Sequence, residues 1–312
     1  MNTRLGRLGR RVLQGFFVLW LASSLAFFAL QLVPGDPARA LLAASGATPE
    51  EVAARRTELG LDDPVLVQYL RYLGSLARGD LGQSWLHGRS VRRMIGEQLP
   101  STLTLAVSAT GVGVALGVVL GTLGAIRHTT WLDRATTALA VLGISAPTAW
   151  TGLVAILLFS LRLRWLPATG SGGVRHLILP TLVLGFALAG SIARLMRARL
   201  ADVIQKPFVM AARARGLPRW RILFLHVMRP ALSTVPTIVA LQVGFLLGGA
   251  VITESVFTRQ GLGQLAVEAI RWRDLPVVRG VVVFSAAAYV AVNLAADLAE
   301  LWLDPRQRGS AV

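Results

Sequence analysis

The 312 residues are 54% hydrophobic and only 15% charged, more apolar than one soluble core requires, and lipid is the solvent that this composition fits. The formal charge of +16 sits on arginines concentrated in particular connections between apolar runs, and no stretch interleaves cations with stacking aromatics, so nucleic-acid binding is not expected. Cysteine is absent, which excludes disulfides, thiolate nucleophiles and Cys-ligated zinc or iron–sulfur centres.

The first apolar run, residues 12–33, follows Arg4, Arg7, Arg10 and Arg11. It is longer than a typical signal-peptide core and no A-x-A site follows it, so it is expected to persist as a first span. Further uncharged runs cover 101–126, 135–161, 177–193, 230–253 and 280–296. About 17–25 apolar residues cross a bilayer as a helix, which alone satisfies its own backbone there apart from closed barrels. The expected fold is an all-α polytopic membrane protein with six transmembrane helices. The fourth and sixth runs are short, so each should extend across flanking polar residues. Six crossings put both termini on one side. The N-terminus, the second-to-third connection, the fourth-to-fifth connection and the C-terminus together hold 17 cations against Asp133, Asp202 and Asp304. The segment 35–100 carries eight arginines and eight carboxylates. By the positive-inside rule both termini are expected in the cytoplasm, although Arg162, Arg164 and Arg175 in a short external connection run against it. The chain thus divides into 1–34, an N-terminus and first span; 35–100, an external helical segment; 101–303, a five-helix core with a cytoplasmic loop at 194–229; and a tail at 304–312.

Within the external segment, Thr48-Pro49-Glu50-Glu51 reads as a capping box with proline at the first helical position, and Asp62-Asp63-Pro64 opens a second amphipathic stretch running to about Ala77. In the second span Gly113, Gly117 and Gly121 recur every four residues, clearing one helix face for close packing. The histidines His87, His128, His176 and His226 are scattered, and no H-E-x-x-H or G-x-S-x-G pattern occurs, so no catalytic or metal-ligating set is expected. The single lysine, Lys206, lies in Gln205-Lys206-Pro207, which excludes a P-loop. Any ATP-driven work requires a motor on another polypeptide. The span interiors are nearly free of ionisable groups, unlike a chain that carries coupling ions by itself. Gln242 and Asn293 are the main amides within spans, suited either to helix-to-helix hydrogen bonds or to lining a solute path.

The loop at 194–229 is patterned. Pro207 suits a first helical turn, residues 208–215 continue in helix-compatible types, Gly216 can supply a left-handed stop and Pro218 prevents continuation. A short helix results, with a low-profile face at Ala211 and Ala212 and charge from Arg213 and Arg215. It suits a groove on a cytoplasmic partner and, equally, an anionic lipid surface.

Here the sequence resembles the membrane permeases of binding-protein-dependent ABC importers, in the dipeptide, oligopeptide and nickel group, and within it the first of two paired permeases. Met210-Ala211-Ala212-Arg213-Ala214-Arg215-Gly216 stands where that family has its E-A-A signature and glycine, with Met210 in place of the acidic residue and Arg229 before Pro230 where a proline is usual. Pro34-Gly35-Asp36-Pro37, Gly79-Asp80-Leu81-Gly82-Gln83-Ser84, the stretch from Gly248 through Glu254 to Gly263, and Leu303-Asp304-Pro305-Arg306 also resemble family motifs, in order. The resemblance implies the type I importer permease fold in a bacterial inner membrane and a transport subunit rather than an enzyme. It further implies a second permease, two cytoplasmic ATPase subunits and an external solute-binding protein. ATP and magnesium would be used by the ATPases, with no cofactor in this chain. Residues 210–216 would be the coupling helix. Peptides are the expected cargo, with nickel, glutathione, opines and sugars handled by relatives of this layout.

Overall fold

The computed structural model describes residues 2–42, 46–127, 129–233 and 235–303; His128 and the expected tail, with Asp304-Pro305-Arg306, lie outside them. Among the described residues there is no strand, and the elements are helices: α1 Asn2–Gln31, α2 Pro37–Leu42, α3 Pro49–Glu58, α4 Val65–Ala77, α5 Val91–Ile126, α6 Trp131–Ser145, α7 Thr148–Ala155, α8 Val174–Ile204, α9 Pro207–Ala214, α10 Arg219–Arg221, α11 Met228–Leu232, α12 Val235–Leu241, α13 Val243–Val256, α14 Leu262–Arg271 and α15 Leu275–Leu303. π-helical turns extend α7 through Ile156–Arg162 and α10 through Ile222–Val227.

Four of these helices are long and apolar enough to cross a bilayer, namely α1, α5, α8 and α15, and a fifth is obtained if the pair Trp131–Ser145 and Thr148–Arg162 counts as one span. The fourth and sixth apolar runs do extend over polar flanks, becoming the 31 residues of α8 and the 29 of α15. The third and fifth runs differ from the expected single helices. The third bends by 110° between Ser145 and Thr148. Pro147 has no N–H and pushes the preceding Ala146 into an extended conformation at φ −74°, ψ 127°. The fifth run is divided into α11, α12 and the 14-residue α13, with Pro236 in the first turn of α12 and Gln242 breaking the register before α13.

The chain forms two compact units, Met1–Pro100 with Gly261–Val312, and Ser101–Gln260. In the first, α1 lies along α15, and the start of α5, α14 and α15 share a core of Val91, Ile95, Leu262, Val277 and Val281. The extramembrane helices begin as their sequence dictates. The Thr48 hydroxyl accepts from the Glu51 N–H and the Glu51 carboxylate accepts from the Thr48 N–H, closing the capping box of α3. Helix α4 seats against α1 through Tyr69, which hydrogen-bonds Ser24 at 2.6 Å, and through Tyr72, which stacks on the buried Phe27. The Arg279 guanidinium lies over the Phe27 ring at 4.3 Å.

In the second unit α8 is the central column, with Leu184, Leu188, Ile192, Met196 and Leu200 completely covered. Helix α5 reaches its backbone because it presents no side chains there. A Cβ at Gly117 would lie 2.6 Å from Ile192 Cβ, and one at Gly121 would lie 2.6 Å from the Ala193 carbonyl oxygen. Helix α6 approaches from elsewhere through Gly143, whose added Cβ would lie 2.6 Å from the Phe186 carbonyl oxygen. Replacing Gly117 by Leu should therefore overpack the seam and cost about 1–3 kcal/mol or more. The same change at Gly111, where nothing lies within 4 Å, should leave the thermal midpoint in detergent unchanged. Equal midpoints for the two variants would mean that α5 does not pack as described.

Candidate functional site

Helix α9 is built by strong local signals. Lys206 is extended at its N-terminus, Pro207 occupies the first turn, and Gly216 closes the other end at φ +72°. The Gly216 and Leu217 N–H groups donate to the carbonyls of Arg213 and Ala212 at 2.9 and 3.3 Å. Val209 and Ala212 are three residues apart, hence on one face, and both are buried in the core that contains Met196, Leu200, Ile222 and Val227. Met210, Ala211, Arg213, Ala214, Arg215 and Gly216 are exposed. Ala212 therefore anchors the helix, and the outward face is Ala211 with Met210, Ala214 and the two arginines. Phe208, 46% exposed, and Trp220, 64% exposed, add large apolar groups beside this face.

The column that bears α9 is tied at the same end to α6. The Arg197 guanidinium pairs with the buried Asp133 carboxylate at 2.8 Å, and Asp133 also accepts from the Thr129 N–H at 3.1 Å. Gly113, Gly117 and Gly121 lie against Leu188, Ile192 and Met196 respectively, so the glycine file meets the same helix.

A second polar cluster gathers the opposite ends of this unit's helices. Glu254 is fully buried in α13 and accepts a hydrogen bond from the Thr102 hydroxyl at 2.6 Å. Ser101 donates to the Gln260 carbonyl, the Gln260 N–H donates to Ser171 Oγ at 2.9 Å, and the Gly170 N–H donates to the Phe257 carbonyl at 3.0 Å. Burial pulls the Arg259 guanidinium below its ordinary value, and the facing Glu254 carboxylate opposes that. In the first unit Asp274 plays a similar part for the segment 84–86, accepting from the Ser84 hydroxyl and from the Trp85 N–H, the latter at 3.0 Å.

Residues 113–309 match the family described as binding-protein-dependent transport system inner membrane component, and residues 5–106 match the N-terminal membrane component of the same systems. The chain belongs to this family. It is 38% identical, over 96% of its length and 98% of that protein, to a Brucella abortus (strain 2308) protein named as a peptide transport system permease. It is 35% identical to the glutathione transport system permease protein GsiC of Escherichia coli (strain K12), over 96% of the chain and 97% of that protein. A solved structure of the MetNI methionine ABC transporter, in an inward-facing conformation, shares the fold with a TM-score of 0.57 at 18% identity, covering 68% of this chain and 97% of that one. The permease is thus a multi-pass transport subunit of the bacterial inner membrane with the type I importer architecture.

Of the other residues singled out in the sequence, Gln242 caps α13 and its backbone N–H donates to the Ile238 carbonyl at 3.0 Å. Asn293 donates its amide to the Tyr289 carbonyl of its own helix at 2.8 Å rather than to a neighbouring helix. The pairings of Glu254 with Thr102 and of Asp274 with Ser84 span 152 and 190 positions, and no local pattern announces them.

Two outcomes follow for the permease. Ala212→Asp buries an uncompensated carboxylate and should sharply reduce the monodisperse fraction on size-exclusion chromatography, whereas Ala211→Asp, on the exposed face, should change stability by no more than about 0.5 kcal/mol. The reverse pattern would mean that α9 is rotated. Glu254→Ala leaves the buried Thr102 hydroxyl without its acceptor and should cost about 1–3 kcal/mol of stability. The additional change Thr102→Val should cost little more in the thermal midpoint, and full additivity of the two losses would refute the pairing of Glu254 with Thr102.

Proposed function

We propose that this permease serves an ATP-driven importer of di- and oligopeptides, forming the solute pathway with a second permease and working with two cytoplasmic ATPase subunits and an external solute-binding protein. Dependence on a binding protein belongs to the family itself. The peptide class is supported by the names of the relatives, peptide and glutathione transport permeases, whose named cargoes share amide linkages and charged ends. ATP and magnesium are used by the ATPases, and this chain carries no cofactor of its own. The chain crosses the membrane six times with both termini in the cytoplasm, the third and fifth crossings being the interrupted ones. Interrupted helices are tolerated at membrane depth where protein surrounds the freed backbone groups or a cavity takes them up. Gln242, at the interruption before α13, is assigned to the solute path on that basis, and Asn293 of α15 as the other amide within a span.

The observation that carries this reading is the outward face of α9. A capped helix is anchored by Val209 and Ala212 in the buried core that also holds Met196, Leu200, Ile222 and Val227, and it offers Met210, Ala211, Arg213, Ala214 and Arg215 to a partner. Ala211 keeps that face low enough to enter a groove, and the arginines bias it towards an acidic rim. Because α9 packs on the π-helical turns Ile222–Val227 and shares one buried core with Met196 and Leu200 of α8, a push on it is delivered into the core around α8 with little loss in soft contacts. Closure of the ATPases and docking of the loaded binding protein then bias one equilibrium of alternating access.

The test is reconstitution with the neighbouring permease, the ATPases and the binding protein in vesicles. Ala211→Asp should reduce ATP-driven uptake of a labelled dipeptide at least tenfold without loss of the assembled complex. Unchanged uptake and unchanged cargo-stimulated ATP hydrolysis would remove the coupling role, as would uptake by the single chain in a proton or sodium gradient.

A further inference from the structure

Within the second unit, a cavity of about 340 Å³ lies between α5, α6 and α8. Its two ends differ in chemistry. Helix α5 runs in the same direction as α8, since Gly117 meets Ile192 and Gly124 meets Arg197, and α6 runs against both, since Gly143 meets Phe186 and Asp133 meets Arg197. Arg197, Thr136 and Ala125 therefore share the end of the cavity next to the short turn between α5 and α6, and Leu120, Val141 and Ile144 line it deeper among the helices. From Thr136 to Ser145 the lining advances nine residues along α6, about 13 Å at 1.5 Å per residue. That length suits part of an acyl chain and not a water molecule or a small ion alone.

Among the described residues the charge at the shallow end is only partly balanced. Arg197 is paired with Asp133. Arg194, which also lines the cavity, is exposed and makes no ion pair or hydrogen bond among the described residues. Thr136 and Thr137 add hydroxyls beside it, although Thr136 donates its own to the Leu132 carbonyl at 2.9 Å. Arg127 and Arg134 flank the same turn. A basic pocket between transmembrane helices, at the level where helices end, matches an anionic phospholipid in charge and in polarity along its length.

We infer that this cavity is a binding site for an anionic phospholipid, with the phosphate at Arg194 and the Thr137 hydroxyl and one acyl chain against Leu120, Val141 and Ile144. Arg197 helps to shape the site while Asp133 holds it. The lipid is a non-covalent structural ligand, and it lies against the glycine file that joins α5 to α8.

The full chain in detergent, titrated with dioleoyl phosphatidylglycerol or dioleoyl phosphatidylcholine and observed by native mass spectrometry, tests the site. The wild type should retain phosphatidylglycerol at several-fold lower concentration than phosphatidylcholine. Arg194→Gln should bring the two lipids to within about twofold of each other, in keeping with loss of one charged hydrogen-bonding partner for a phosphate. Thr137→Trp, which fills the cavity, should weaken both lipids together. The inference fails if the wild type does not distinguish the two lipids, if Arg194→Gln leaves the preference intact, or if inorganic phosphate displaces phosphatidylglycerol at comparable concentration. It fails equally if a dipeptide displaces the lipid, since the cavity would then belong to the solute path. Arg194 is exposed, so its replacement does not put folding at risk, and the outcome is independent of uptake by the assembled transporter.

Discussion

Helices in hydrocarbon gain nothing by hiding apolar surface from water, so the second unit depends on how closely other backbones come to α8. Glycines make that approach possible on two sides of the column. Gly113, Gly117 and Gly121 admit α8 from α5, while Gly143 and Gly190 bring α6 and α8 together backbone to backbone. Dispersion falls steeply with separation, and a seam of this kind resists bending more than one lined by long side chains would. The salt bridge from Arg197 to Asp133 then sets the rotation of α6 at one end of the same column.

That stiffness gives the ends of α8 their importance. Its last turns carry covered Met196 and Leu200, which share a buried core with Val209 and Ala212 of α9, while Arg194 lines the cavity and Arg197 pairs with Asp133. In the coupling role proposed for it, α9 works as a lever only when its footing is rigid. Here the footing is apolar and completely covered, while the outward face is small and basic. The cavity beside α5 and α6 lies at the level of that footing, which makes the surrounding lipid a participant in how firmly the column is held.

Where apolar helices end or break, buried polar groups take over. Pro147 removes a backbone donor at the bend of the third run. Glu254 with Thr102, Gln260 with Ser101 and Ser171, and Gly170 with Phe257 together stitch three separate segments of one unit. Such clusters stabilise only while every partner is present, because a lone buried charge costs far more than the pair returns.

Local chemistry was legible from the chain itself. The capping box at Thr48, the proline start and glycine stop of α9, the spacing of Gly113, Gly117 and Gly121, and the extension of the fourth and sixth runs each arise from neighbouring residues, and each is present. Even the inward turn of Ala212 follows from its distance of three residues from Val209, once it is known that Val209 faces a core. Which face of α9 meets that core, how far Pro147 bends the third run, and which carboxylate Thr102 or Ser84 would find were not legible. Those outcomes join residues far apart in sequence and depend on which surfaces meet. Composition and spacing alone determined a helical membrane protein without a P-loop, and the resemblance of its ordered motifs to importer permeases supplied the transport role. Tertiary structure alone decided which residues anchor and which project, because helix period and turn chemistry are properties of neighbours, whereas burial is a property of what packs on top.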